Sequence, residues 1–200
     1  MVFYTNGTTE SAMTAFRCTG KLLKSLKATV ETDTPTPENR LGDWTANVVR
    51  YGRKPFVIAV AEHSRIALLL PAAPYATLTE RFLEDLPYLL RYLHIPEPLI
   101  ESEIAAMAPL HIAKSNSRSV LASINGYDQT MAHLLASGEN WTTVGLMAFI
   151  AEDISKPNDY QPTGDVVRAR FGLAPMIGPA LREAAEQARS VFWQAANDDD

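Results

Sequence analysis

Residues 41–71 read LGDWTANVVRYGRKPFVIAVAEHSRIALLLP, the densest run of β-branched and aliphatic residues in the chain. Trp44, Ala46, Val48 and Arg50 alternate with Thr45, Asn47, Val49 and Tyr51, the two-residue period of a strand with two distinguishable faces. Gly52-Arg53-Lys54-Pro55 breaks that strand. Phe56 to Ala61 is almost continuously apolar, too short for a globular helix and bounded by Pro55 and Glu62-His63-Ser64, so it reads as a buried strand. Ile66 to Leu70 is a third run of the same kind. Turns this short join only antiparallel neighbours, because a parallel connection needs a crossover of a dozen residues or more. The stretch is expected to form a three-stranded meander.

Working outward, Ala15 to Cys18 reads as a short strand, and Thr19 is placed to cap a helix from Gly20 to about Ala28. Leu22, Leu23 and Leu26 fall on its inner face and Lys21, Lys24 and Lys27 on its outer one, the default pattern of a solvated amphipathic helix. Met1 to Thr14 lacks periodicity and reads as a loose leader, and Thr32 to Asn39, with Pro35 and Pro37, as a linker into the meander. After Pro71, Thr77 and Glu80 fit a capping box ahead of the stripe Leu78, Phe82, Leu86, Leu89, Leu90 and Leu93. Pro87 lies inside that stripe, so either two short helices meet there or one bends. Pro96 and Pro98 open a helix that Pro109 ends, and Leu110 to Lys114 alternates as a fourth strand.

Beyond it, Val120, Leu121 and Ile124 are spaced for a helix starting near Ser117, and the pattern resumes from Asp128 to Leu135 with Gly138 as its end. Trp141 to Ile154, Asp165 to Phe171 and Ala180 to Ala196 read as further helices, with a polar loop at Lys156 to Gly164. The expected fold is α+β: a small, mainly antiparallel sheet, the meander plus one or two further strands, covered by several α-helices. The expected division is a leader at 1–14, one domain at 15–172, and a C-terminal helix with an acidic tail at 173–200.

Composition narrows the class. With 46% apolar and 20% charged residues, 200 residues suit an ordinary soluble domain, and no apolar run reaches the length of a membrane span. The first residues lack the basic flank and apolar centre of a signal peptide, so a cytoplasmic location is expected. Cys18 is the single cysteine, which rules out an internal disulfide and a multi-thiolate metal site and reads as a small buried apolar residue. The net charge of −5 does not advertise nucleic acid, but residues 1–54 hold eight Lys/Arg against five Asp/Glu. That +3 leaves −8 for the remainder, so a locally basic face on an acidic protein is expected.

The strong chemical motifs are missing: no G-x-x-x-x-G-K-S/T, no G-x-G-x-x-G, no H-E-x-x-H and no G-x-S-x-G. His63, His94, His111 and His133 have no paired spacing and read as structural, so neither metal nor cofactor is expected. Two constellations remain. Asp43, Trp44, Asn47 and Arg50 share the opening strand, where a side-chain amide among apolar residues needs partners. Lys114, Asn116, Arg118 and Ser119 share a strand-to-helix junction, where exposed helix-start groups and two cations suit phosphate or carboxylate.

Three motifs in order carry a resemblance. Arg17-Cys18-Thr19-Gly20-Lys21-Leu22-Leu23-Lys24, then Leu41-Gly42-Asp43-Trp44-Thr45-Ala46-Asn47, then Lys114 with Asn116-Ser117-Arg118-Ser119-Val120-Leu121-Ala122-Ser123-Ile124-Asn125 resemble an uncharacterised bacterial family, a domain of unknown function. Its pattern is R-C-T-x-K-L-L, L-G-D-W-x-A-N and N-R-S-V-L-G-S-M-N-D. This chain departs from it with Gly20 for lysine, Ala122 for glycine, Ile124 for methionine and Gly126 for aspartate. The resemblance spans about Ala15 to Gly172 and implies a bacterial intracellular protein with no established activity.

Three functional readings follow. The first is a binding module for a phosphate-bearing ligand, nucleotide or nucleic acid, held by Arg17, Lys21, Trp44, Asn47, Arg50, Lys114, Asn116, Arg118, Ser119 and Asn125. The second is a hydrolytic or phosphoryl-transfer enzyme with Asp43 or another carboxylate as base beside Arg118 and Lys114. The third is a homo-oligomer joined through the C-terminal helix, where Val191, Phe192 and Trp193 stand together.

Overall fold

The computed structural model describes residues 14–32, 36–137, 141–180 and 183. The strands are β1 (Thr14–Cys18), β2 (Trp44–Tyr51), β3 (Lys54–Ala61), β4 (Ala67–Pro71) and β5 (Leu110–Lys114). The helices are α1 (Gly20–Leu26), α2 (Leu78–Tyr92), α3 (Glu97–Met107), α4 (Arg118–Ala136), α5 (Thr143–Ala151) and α6 (Thr163–Arg170).

The meander forms as its sequence demands, with β2, β3 and β4 antiparallel and in tight register from Trp44 opposite Ala61 to Tyr51 opposite Lys54. The sheet as a whole, however, is mixed. Its order is β4-β3-β2-β1-β5, and β1 runs parallel to both β2 and β5, which corrects the expectation of a mainly antiparallel sheet. The physical reason is the length of the connections. Residues 19–43, carrying α1, supply the crossover a parallel β1–β2 pair requires, as do α2 and α3 before β5.

Both faces of the sheet are covered. Phe16 is level with Trp44, so the two rings share a face, and Phe82 of α2 meets both edge-on at centroid distances of 5.1 and 4.9 Å. Each such ring pair adds about 0.5–1.5 kcal/mol beyond its area burial. On the other face α4 lies across β2 and β3, with Tyr51 donating to the Met131 sulfur at 3.5 Å. That two-sided cover explains why Trp44 and Val48 are buried on one face and Thr45 and Val49 on the other.

The entry to β2 is built from polar anchors. Asn39 donates to Thr14 Oγ1 and accepts from Gly42 N, both at 2.6 Å. Glu103 of α3 is fully buried and accepts the N–H groups of Arg40 (3.0 Å) and Leu41 (2.9 Å). Gly42 has φ +77°, and a Cβ there would stand 2.4 Å from the His63 ring, so only glycine fits. At the opposite edge Glu31 donates its N–H to Ile112 O and meets His111 Nδ1 at 2.6 Å, shielding the outer side of β5.

Other boundaries shift from expectation for local reasons. Thr14, assigned to the leader, opens β1. The two helical patterns on either side of Gly126 are one helix of 19 residues, α4, capped by Ser117. A single helix runs through Pro87. Thr77 caps nothing with its side chain and instead accepts from Arg81 Nε at 3.3 Å, so the capping box does not form. The helix expected from Trp141 is shorter, running from Thr143 to Ala151 behind a Thr142 cap. The helix expected from Asp165 to Phe171 is α6, which starts two residues earlier at Thr163, and the Asp165 carboxylate accepts from Met176, Ile177 and Gly178 N. The leader, the Gly138 terminus and the apolar cluster Val191, Phe192 and Trp193 lie outside the described residues.

Candidate functional site

The first constellation falls along the seam between β1 and β2. Arg17 is level with Thr45, hence on the face opposite Trp44, and its Nε and Nη2 reach Asp43 Oδ2 at 2.8 and 2.6 Å. Asp43 Oδ1 accepts from Ala15 N at 2.9 Å, so both oxygens of this nearly buried carboxylate clamp β1 beside the start of β2. Thr19 caps α1 and donates to Asn47 Oδ1 at 2.7 Å, supplying the partner that the amide in an apolar strand required. Lys21 Nζ reaches back to Val48 O at 3.0 Å. Trp44 is fully buried on the α2 side. Arg50 lies at the far end of β2, beside a pocket of about 440 Å³ with Tyr51, Gly52 and Leu135.

The second constellation stays at the surface. Lys114, Asn116, Arg118 and Ser119 are exposed, and Lys114 is level with Cys18, at the carboxyl end of β1. Ser117 Oγ accepts from Val120 N at 3.3 Å, leaving Asn116 outside the cap. From the β3–β4 turn, Arg65 extends its Nη2 to Ser119 Oγ at 3.2 Å, adding a cation that the sequence did not single out. Asn125 is exposed two turns farther along α4, about 10 Å from Arg118 at helical rise. The fold therefore brings Lys114, Asn116, Arg118 and Ser119 together with Arg65. It leaves Arg50, Trp44 and Asn125 apart from them.

A further cluster escaped sequence reasoning. On α4, Ser123, Gly126, Tyr127 and Thr130 border a pocket of about 210 Å³ that Asp153 and Ser155, from the segment after α5, close on the other side. Tyr127 donates to Arg65 O at 2.9 Å, and Asn158 donates to Ser64 O at 2.7 Å, tying the β3–β4 turn to this segment. Burial pushes the Asp153 carboxyl above the usual aspartate range, partly offset by its hydrogen bond to Tyr127. The signal was present as polar residues at three- and four-residue spacing beside the Val120, Ile124, Met131 stripe, but such a row also fits a solvated helix flank.

The raised carboxyl has a measurable consequence. A group that holds its proton more tightly in the folded chain stabilises the fold at acid pH, and that contribution is lost as pH rises from the ordinary value to the raised one. Asp153→Asn is therefore expected to raise the melting temperature at neutral pH. The gain should shrink towards nothing below about pH 4. Melts of both proteins across this range check it; an equal difference at every pH contradicts it.

Burial pushes the Cys18 thiol up to about 12, and the side chain is wholly enclosed, so it packs as a small apolar group. Among the described residues no group of three His, Cys, Asp or Glu is placed to hold a metal ion, and no helix is long and apolar enough to cross a membrane. The sequence matches no curated protein and no solved structure. The match that does exist covers the β1–β2 seam, the β5–α4 junction and the polar pocket together. Residues 15–164 fit the family described as "Domain of unknown function (DUF6933)", and the chain belongs to that family.

Proposed function

We propose that the domain is a binding module for a phosphate-bearing ligand, nucleotide or nucleic acid, received at the β5–α4 junction. The observation that carries this reading is the pairing of Lys114 and Arg118. Both are exposed, and neither forms an ion pair among the described residues. Lys114 ends β5 and Arg118 opens the longest described helix, whose N-terminal dipole favours an anion. Arg65, braced on Ser119, adds a third positive group at the same turn. Arg17 is held by Asp43 and Lys21 by Val48 O. Asp43 is suited to the clamp it forms; with both oxygens occupied it favours binding over proton transfer.

The test is fluorescence anisotropy with a labelled single-stranded oligonucleotide, with ATP as competitor, at low ionic strength. Binding that weakens with salt is expected, and Lys114→Ala with Arg118→Ala should weaken it by roughly tenfold to a hundredfold, since a charge-assisted hydrogen bond contributes about 1.5–3 kcal/mol. Neither exposed side chain packs on the core, so the double variant should melt with the wild type. No binding at low salt, or equal binding by the variant, removes the reading.

A further inference from the structure

The hairpin joining β2 to β3 holds three cations that the junction proposed above does not use. Arg50, Arg53 and Lys54 are exposed, and none of them forms an ion pair among the described residues. Arg50, Tyr51 and Gly52 line one side of the pocket of about 440 Å³, and Ala132, Leu135 and Ala136, near the carboxyl end of α4, line the other. Lys54 pairs across from Tyr51, so its side chain leaves the sheet on the same face. The volume lies within the range of small-molecule sites, about 300–1,000 Å³. The lining is divided by chemistry. Three aliphatic side chains form the α4 wall, the half-buried Tyr51 ring, braced by Phe56 at a centroid distance of 5.7 Å, adds to it, and Arg50 is the one charged side chain. Asp128 of α4 is hydrogen-bonded to the Tyr51 hydroxyl and stays out of the lining.

We infer that this pocket is a second ligand site, one that takes a small amphiphilic carboxylate with its apolar chain against α4 and its head group on the hairpin. Charge sets that orientation. The carboxyl end of α4 is the negative end of the helix dipole and repels an anion, so the head group belongs on the opposite wall. There Arg50 offers a planar fork of donors matched to a carboxylate, and Lys54 adds a second positive charge on the Tyr51 face. Inorganic phosphate would gain nothing from Ala132, Leu135 and Ala136, and a neutral alkane would gain nothing from Arg50. Only a molecule with both parts uses both walls. Each methylene that leaves water on the α4 side raises affinity by up to about fourfold. Ala132 and Ala136 stand about 21 and 27 Å along α4 from Arg118 at helical rise, so this site and the phosphate-binding junction are separate and stand or fall separately.

The probes are butyrate, hexanoate and octanoate, which lengthen the chain under one head group, and 1-octanol, which keeps the chain without the charge. In an ¹H–¹⁵N NMR titration of the full chain, with the acids below micelle-forming concentration, octanoate is expected to move the Tyr51, Gly52, Ala132, Leu135 and Ala136 amides saturably. Affinity should rise along the acid series, with butyrate and 1-octanol each at least about tenfold weaker than octanoate. Arg50→Ala should weaken octanoate by roughly tenfold. Ala132→Glu, at an exposed helix position, sets a carboxylate in the lining and should abolish binding while leaving the rest of the spectrum in place. Arg118→Ala should change nothing. A flat chain-length series, equal binding of octanoate and 1-octanol, retention of octanoate by both pocket variants, or shifts confined to other residues would each overturn the inference. So would co-sedimentation with phosphatidylglycerol vesicles in the absence of any saturable octanoate shift, which would give the hairpin to a membrane surface instead.

Discussion

Asp43→Ala is expected to remove about 3–5 kcal/mol from the free energy of unfolding, because it breaks a mostly buried charge pair and strips a buried N–H of its acceptor. The Arg17 guanidinium loses its carboxylate and Ala15 N loses the oxygen 2.9 Å away, both on the strand at the centre of the parallel part of the sheet. Asp43→Asn keeps one acceptor for Ala15 and gives up the charge, so a loss of roughly half is expected. Urea titration checks this: the midpoint should fall with little change in slope. A loss below about 1 kcal/mol for the alanine variant would mean that the clamp does not hold the seam.

A loss of the same size is expected for Glu103→Ala. This carboxylate is completely enclosed on α3, and its oxygens accept from Arg40 N at 3.0 Å, Leu41 N at 2.9 Å and the Arg40 guanidinium at 3.4 Å. Alanine leaves two backbone donors unsatisfied behind the buried Leu41 side chain, at about 1–3 kcal/mol each. Glu103→Gln retains an acceptor for one of them and should cost about half as much. The two positions share the segment that feeds β2, so the double variant Asp43→Ala with Glu103→Ala should lose less than the sum. Strict additivity would show the two anchors to be independent.

What the sequence could reveal depended on whether the information was local. The meander was legible because alternation from Trp44 to Tyr51 and two apolar runs with short turns admit one pairing only. The short strands at Ala15 and Leu110 were legible as strands, but nothing local says that they pair with each other, since that register is decided by crossovers and by Phe16 finding Trp44 and Phe82. Asn47 was rightly marked as needing a partner; that the partner is Thr19 depends on the parallel register. The β5–α4 boundary was legible because its residues are consecutive. The α4 pocket was not, because Ser123 and Tyr127 on the one hand and Asp153 and Ser155 on the other come from segments that only the folded chain brings together.

The place of β1 also bears on how the chain reaches this state. Its hydrogen-bonding edges are satisfied by partners on opposite sides, one beginning at Trp44 and the other at Leu110. During synthesis the hairpins of the meander can zip up as soon as they emerge. The first of the described strands, by contrast, must keep one flank open until β5, beyond the meander and two helices, has left the ribosome. Long-range closure of that kind is slow, so β1 is the point where a nascent copy is most exposed to pairing with the wrong neighbour.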